Sequence, residues 1–242
     1  MAGPLHPDAA GPLVRRASPR FVIYAQGRTG SHLLMSLLGS HSQVECAGEL
    51  LNRQDWTGWR QYARRAVLRA PDLYLPLRSR AATRLCWGGK VPIATSARGL
   101  ARLQAQGWCV LFLERTSIFD RAISWCVATL AGRFQSTGRE QAPRLLVPEP
   151  LFLEQLAFRA YWDRESQRVM QDIPHLRLNY EADLAQPALW QQTASRVCAT
   201  LGVTSEPLAG QTARSWDRRY DEIVENYDRL LRLYEATVTT AP

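Results

Sequence analysis

The sequence predicts a three-layer α/β/α protein: a central parallel sheet, helices on both of its faces, and a P-loop-like turn at the end of its first strand. Three observations predict it. A short β-branched and aromatic run, residues 20–25, breaks at Gly27 and Gly30, then resumes as the helical pattern Leu33, Leu34, Leu37, Leu38. Residues 108–113 (Trp-Cys-Val-Leu-Phe-Leu) are an almost unbroken apolar run, as expected of a strand covered on both faces. Strand and helix patterns then alternate along the chain, which is the order that builds a parallel sheet.

The chain has 242 residues, enough for a full core, and one α/β domain over 19–242 is the simplest division. Residues 1–18 are rich in Pro, Gly and Ala without a period and read as a disordered tail. Hydrophobic content of 46% with 21% charged residues fits a globular protein, and the net charge of +8, carried mostly by arginine, favours an anionic ligand. Five cysteines (Cys46, Cys86, Cys109, Cys126, Cys198) lack C-x-x-C spacing. They read as buried thiols in a reducing compartment, hence a cytoplasmic expectation, rather than as a disulfide framework or zinc site. No 18-residue apolar run and no leader-type apolar segment stand out, so neither a membrane span nor secretion is expected.

In order, the first strand and helix close at residues 40–43, and residues 44–50 give a second short strand and a turn at Gly48-Glu49-Leu50. Residues 56–82, with Trp56, Trp59 and Tyr62, read as helical with a basic surface side. Residues 84–90 form another strand with Lys90 at its end, and 96–106 a short amphipathic helix closed by Gly107. After the strand 108–113, Ser117 with Asp120 three residues on fits a capping box. Positions 117, 121 and 124 then share one helix face, with Arg115 at the strand end beside them. Glycines and prolines make 132–150 a long irregular loop. A helix over about 151–171, a strand over 175–180, a helix from Pro187 to Leu201 and a last helix over 221–236 complete the chain. That last helix carries Ile223, Val224, Tyr227, Leu230, Leu231 and Tyr234 as a core stripe.

A strand, a glycine turn and a helix in that order make an anion site. The first helical amides lack partners, the helix dipole is positive there, and glycine lets the backbone approach oxygen atoms. Arg28 adds a positive fork, and Thr29, Ser31 and His32 add side-chain donors. The loop holds no lysine and lacks Gly-Lys-Ser/Thr, which disfavours a nucleoside triphosphatase but leaves phosphate or sulfate binding open. An ordinary strand-to-helix connection would look similar. Lys90 and Arg115 also follow strand patterns, so in a parallel sheet all three groups can converge on one crevice.

The run Gln26-Gly-Arg-Thr-Gly-Ser-His-Leu-Leu resembles the 5′-phosphosulfate loop of sulfotransferases that use 3′-phosphoadenosine 5′-phosphosulfate (PAPS), most closely the bacterial branch of trehalose and nodulation-factor enzymes. Arg115 and Ser124, nine residues apart, resemble that family's 3′-phosphate motif, and Gly48-Glu49-Leu50 its segment carrying the proposed base. The likeness covers roughly residues 20–236. It implies PAPS as co-substrate without a metal, held by Gly27, Arg28, Thr29, Gly30, Ser31, His32, Arg115 and Ser124. It further implies sulfuryl transfer to a carbohydrate or glycolipid hydroxyl, with Glu49, Arg28 and Lys90 catalytic.

The residues carry the same chemistry. Charge gathering on a leaving phosphate needs cations and amides around it, which Arg28, the amides after Gly30, Ser31 and Lys90 can supply. Arg115 and Ser124 suit a second phosphate. An acceptor hydroxyl needs a base, for which Glu49 leads and His32 and His41 are rivals. Two other classes stay open: a P-loop-like nucleotide-binding protein or kinase-like phosphotransferase, which should want Mg²⁺ and ATP, and a nucleic-acid binder, which should show a basic stripe interleaved with aromatics that this chain lacks. No nucleic-acid partner is therefore expected. Trp56, Trp59 and the 132–150 loop are candidates to stack on acceptor rings.

Overall fold

Five parallel strands run in the order β2-β3-β1-β4-β5: β1 Arg20–Ala25, β2 Val44–Glu49, β3 Cys86–Pro92, β4 Trp108–Glu114 and β5 Leu176–Asn179. The computed structural model describes residues 18–51, 57–58, 60–134, 143–210 and 219–239. The helices are α1 Ser31–Ser40, α2 Arg60–Arg69, α3 Pro71–Arg78, α4 Ala97–Ala105, α5 Ile118–Leu130, α6 Glu149–Met170, α7 Pro187–Leu201, α8 Tyr220–Ile223 and α9 Tyr227–Thr239.

The period-two alternation of a strand makes β1 the axis of both cores. Phe21, Ile23 and Ala25 pack with Leu34, Leu37 and Leu38 of α1 and Val197 and Leu201 of α7. Val22 and Tyr24 point the other way, against Leu68, Leu75, Leu100 and Leu103 of α2, α3 and α4. Each buried Val, Leu, Ile or Phe among them contributes about 1.5–3 kcal/mol relative to exposure. The sheet is thus sandwiched between two helical layers, as the sequence predicts. A third cluster joins α5, α6, α8 and α9 through Phe119, Ile123, Phe152, Leu156, Ile223 and Leu230.

Several element boundaries differ from the sequence expectation, each for a local reason. The 56–82 stretch holds two helices and a 3-10 turn (Ser79–Ala81), because Pro71 has no N–H with which to continue α2 and instead starts α3. Lys90 does not end its strand: β3 continues to Pro92, and Lys90 lies level with Ile23 of β1 and Glu49 of β2. The strand expected over 175–180 is shorter, since Tyr180–Leu184 winds into a π turn. The last helix is interrupted after α8. Val224 forms a parallel bridge with Leu145, and the Glu225 N–H donates to the Leu145 carbonyl at 2.9 Å. The apolar stripe is still core, because Ile223, Val224 and Leu230 are all buried. Of the expected loop, 132–134 and 143–148 are irregular and α6 already begins at Glu149. Trp56, Trp59, the middle of that loop and residues 1–17 lie outside the described residues.

Candidate functional site

Because every strand is parallel, the strand ends at Ala25, Glu49, Pro92, Glu114 and Asn179 share one edge of the sheet. Ligands of such sheets bind off that edge. The loop 26–30 sits at its centre, on β1, with β3 and β2 to one side and β4 and β5 to the other.

The loop is strained and braced. Gly30 caps α1 with φ +86°, and a Cβ there would lie 2.5 Å from Cδ2 of Tyr180, so this position requires glycine on two counts. Arg28 adopts φ +69°, a left-handed conformation that L side chains rarely take. Three successive carbonyls are held, one from within the loop and two from outside it. The Thr29 hydroxyl donates to the Gln26 carbonyl at 3.0 Å, Arg159 Nη1 to the Gly27 carbonyl at 3.5 Å, and Arg115 Nη1 to the Arg28 carbonyl at 3.4 Å. Thr29 is fully buried, so its hydroxyl closes the loop instead of facing the crevice. Ser31 is buried at the first position of α1, where amides have no intrahelical partner.

On the β4 side, Arg28 Nε donates to Ser124 Oγ at 2.7 Å and its Nη1 to the Phe134 carbonyl at 2.8 Å. Tyr220 also donates to Ser124 Oγ, at 2.9 Å, so both acceptor positions of that hydroxyl are used and its own proton is left to donate. Arg115 stacks 4.6 Å over the Tyr180 ring, donates to Asp120 at 3.1 Å and lies 3.6 Å from Glu181. The capping box is half made. Ser117 Oγ accepts from the Asp120 N–H at 3.1 Å, but the Ser117 and Thr116 amides donate to Glu181, at 3.3 and 3.0 Å. Burial alone would raise the Glu181 pKa; these amides and Arg115 outweigh it and hold the carboxyl below its usual value. Tyr180 and Glu181 thereby link the loop to Arg115.

On the β3 side, Lys90 Nζ donates to Glu49 Oε1 at 2.7 Å, and His32 Nε2 lies 3.5 Å from the same oxygen. Lys90 is the one lysine of the chain and is buried. Glu49 reaches it through a register shift in β2 between Cys46 and Glu49, where Gly48 takes φ +73°. The His32 hydrogen bond, against the opposing effect of burial and with help from Lys90, lowers the Glu49 pKa to about 2. Histidine and lysine, not arginine, set its charge. His41 is fully buried far along α1, with Nε2 at 2.8 Å from the Thr204 carbonyl and Nδ1 accepting from the Gln43 N–H, so it closes the helix end and stands apart from Glu49.

Beneath the loop lies a buried polar floor that sequence reading missed. Gln26 donates to Asp163 at 2.7 Å, Arg121 grips the same carboxylate bidentately, and Arg159 packs between them and Gly27. A signal was available: Phe152, Leu156, Arg159, Asp163, Ser166 and Met170 recur at helical spacing, which puts an arginine and an aspartate on an otherwise apolar face. Among the described residues, no group of three or more His, Cys, Asp or Glu is placed to hold a metal ion.

The candidate residues therefore lie on or beside the loop: Gly27, Gly30 and Ser31 form it and the α1 start, Thr29 turns inward to close it, His32, Glu49 and Lys90 cluster on one flank, and Arg28, Ser124 and Arg115 on the other. Arg115 and Ser124 meet through Arg28 rather than directly. No protein-family model and no curated protein matches the chain. Among solved structures it is similar to a sulfotransferase from Alicyclobacillus acidocaldarius, at 16% identity over 94% of this chain and 98% of that one, with a TM-score of 0.49.

Proposed function

We propose that the chain transfers a sulfuryl group from PAPS to a hydroxyl of an acceptor, with a carbohydrate or glycolipid as the acceptor class. The observation that carries this reading is the meeting, on one loop, of an anion cradle and an ionised carboxylate. The cradle consists of the α1 start, Arg28, Arg115 and a Ser124 hydroxyl whose proton is free to donate; the carboxylate is Glu49, held by Lys90 and His32. The residues fit a nucleotide donor with two anionic ends. Arg115 Nε is a buried N–H without a hydrogen-bond acceptor among the described residues, Glu181 lying 3.6 Å away, so the guanidinium keeps donor capacity for an incoming anion.

In this reading Arg28, the α1 amides and Ser31 hold the 5′-phosphosulfate, while Arg115 and Ser124 hold the 3′-phosphate. Gly27, Gly30 and Thr29 shape the loop, and His32 borders the transferring group. Glu49 takes the proton of the acceptor hydroxyl as its oxygen bonds to sulfur; the bond from sulfur to the bridging phosphate oxygen breaks, and adenosine 3′,5′-bisphosphate leaves. Lys90 does two things: it keeps Glu49 ionised, and it can turn its charge toward the bridging oxygen, where negative charge gathers. Losing that partner raises the proton affinity of Glu49 at the moment it must accept a proton.

Calorimetry with adenosine 3′,5′-bisphosphate in EDTA tests the donor. Binding without Mg²⁺ is expected, and Arg115→Ala should weaken it by about 1.5–3 kcal/mol, the range for a hydrogen bond to a charged group. Arg115→Ala binding as tightly as wild type overturns the 3′-phosphate assignment. Mg²⁺-dependent ATP binding in its place would select a kinase-like phosphotransferase.

A further inference from the structure

Arg159 is 2% exposed, in the middle of α6, and no carboxylate comes within ion-pair distance of it among the described residues. Its contacts are long and neutral: Nη1 to the Gly27 carbonyl at 3.5 Å and Nη2 to Gln155 Oε1 at 3.4 Å, with Nε unpartnered. Asp163, the carboxylate of this floor, is gripped by Arg121 and also accepts from Gln26. Burial first, then Arg121 and Arg28, lower the Arg159 pKa to about 10, which leaves it charged at neutral pH. Two buried guanidinium groups, Arg121 and Arg159, thus lie with one carboxylate beneath the loop, and that carboxylate is taken by Arg121, an arrangement costly for an empty protein.

The direction of the Gly27 carbonyl gives that charge a purpose. In a trans peptide the C=O and the following N–H point opposite ways, and the described chain has no cis peptide. Turning the Gly27 carbonyl down onto Arg159 turns the Arg28 N–H up, away from the floor. Arg115 does the same for the next peptide through the Arg28 carbonyl. Successive N–H groups on one side of a loop with a left-handed residue make an anion-binding nest.

We propose that Arg159 is a positioning residue of the anion loop: it holds the Gly27–Arg28 peptide with its N–H toward the crevice, and its unpaired charge is balanced by a multiply charged anion bound above it. It acts through the loop and does not contact the ligand. The proposal deepens the donor site of the sulfotransferase reading and rests on it for the identity of the anion.

The test is titration of wild type, Arg159→Met and Arg159→Lys with adenosine 3′,5′-bisphosphate and, separately, with inorganic pyrophosphate, all in EDTA, alongside the melting temperature of each ligand-free protein. Arg159→Met should bind both anions at least roughly tenfold more weakly, as for loss of a charged hydrogen-bond donor. Its ligand-free melting temperature should stay level or rise, because an unpaired buried charge has been removed. Arg159→Lys should recover part of the affinity. Unchanged affinity in Arg159→Met overturns the proposal, as does a joint fall of affinity and melting temperature that lysine does not rescue. Wild type binding pyrophosphate but not the bisphosphate would overturn the sulfotransferase reading while the pyrophosphate series still decides the role of Arg159. Wild type binding neither overturns both.

Discussion

In the proposed transfer Glu49 stays ionised in the empty site and then accepts a proton, and its neighbours define both demands. Glu49→Gln keeps the shape and cannot take the proton, so transfer should fall by roughly 10²–10⁴ while donor affinity barely changes. Activity and donor affinity measured on the same preparation check this; loss of both would mean a structural role, and retained activity would move the base to His32. Lys90→Met removes a group that lowers the Glu49 pKa, so that pKa rises from about 2 and the acid limb of the pH–rate profile moves to higher pH. An unmoved limb in Lys90→Met would show that Lys90 does not tune the carboxylate. Glu49 stood out in the sequence because Gly48-Glu49-Leu50 resembles a segment carrying a proposed base and lies about one short strand beyond the loop. Its partners did not, since which side chains face each other across strands depends on the register of β2 against β3, and that register shifts at the site. Arg159 escaped for a different reason: a buried charge contradicts the expectation that arginine lies outside.

At the scale of elements, the loop and the π turn after β5 form one device. The Tyr180 ring lies where a Cβ on residue 30 would be, and it also stacks on Arg115. Gly30→Ala should therefore cost at least about 1 kcal/mol of stability from the left-handed backbone alone, and weaken adenosine 3′,5′-bisphosphate binding because Tyr180, and with it Arg115, must move. A denaturation curve and a binding isotherm on the variant check both effects; wild-type values for both would contradict the coupling. The strand–loop–helix unit was readable because its period changes from two to 3.6 across two glycines. The break between α8 and α9 was not, because the apolar positions keep a helical period across it while Val224 and Glu225 pair instead with Leu145, some eighty residues away in the chain.

For the whole molecule, the three layers place cationic groups along one edge of the sheet, and the net charge of +8 attracts anions toward it. Carboxylates on that edge and elsewhere are held below their usual pKa, among them Glu45, Glu49, Glu181 and Glu206. A carboxyl depressed in the folded state contributes stability above its unfolded pKa and loses it as pH falls through the folded one. Melting temperature should thus hold above about pH 4.5 and fall toward pH 2, the window that the Glu49 shift sets. A flat melting temperature across that window would contradict the ion-pair assignment. The layered sheet was legible from hydrophobic runs alone. Convergence on one crevice was readable from a parallel sheet, but which flank of the loop each group takes needed the strand order, which puts β1 between β3 and β4 although neither follows it directly in sequence.

The claim that this chain moves a sulfuryl group is tested most directly by incubating it with PAPS carrying radiolabelled sulfur and an extract of glycans and glycolipids, then following the label. Wild type should pass label into an acceptor fraction without added metal, releasing adenosine 3′,5′-bisphosphate in equal amount, and Glu49→Gln should leave the label in the donor. Label that stays in PAPS with wild type, or transfer that Glu49→Gln and Arg115→Ala leave intact, would contradict the account.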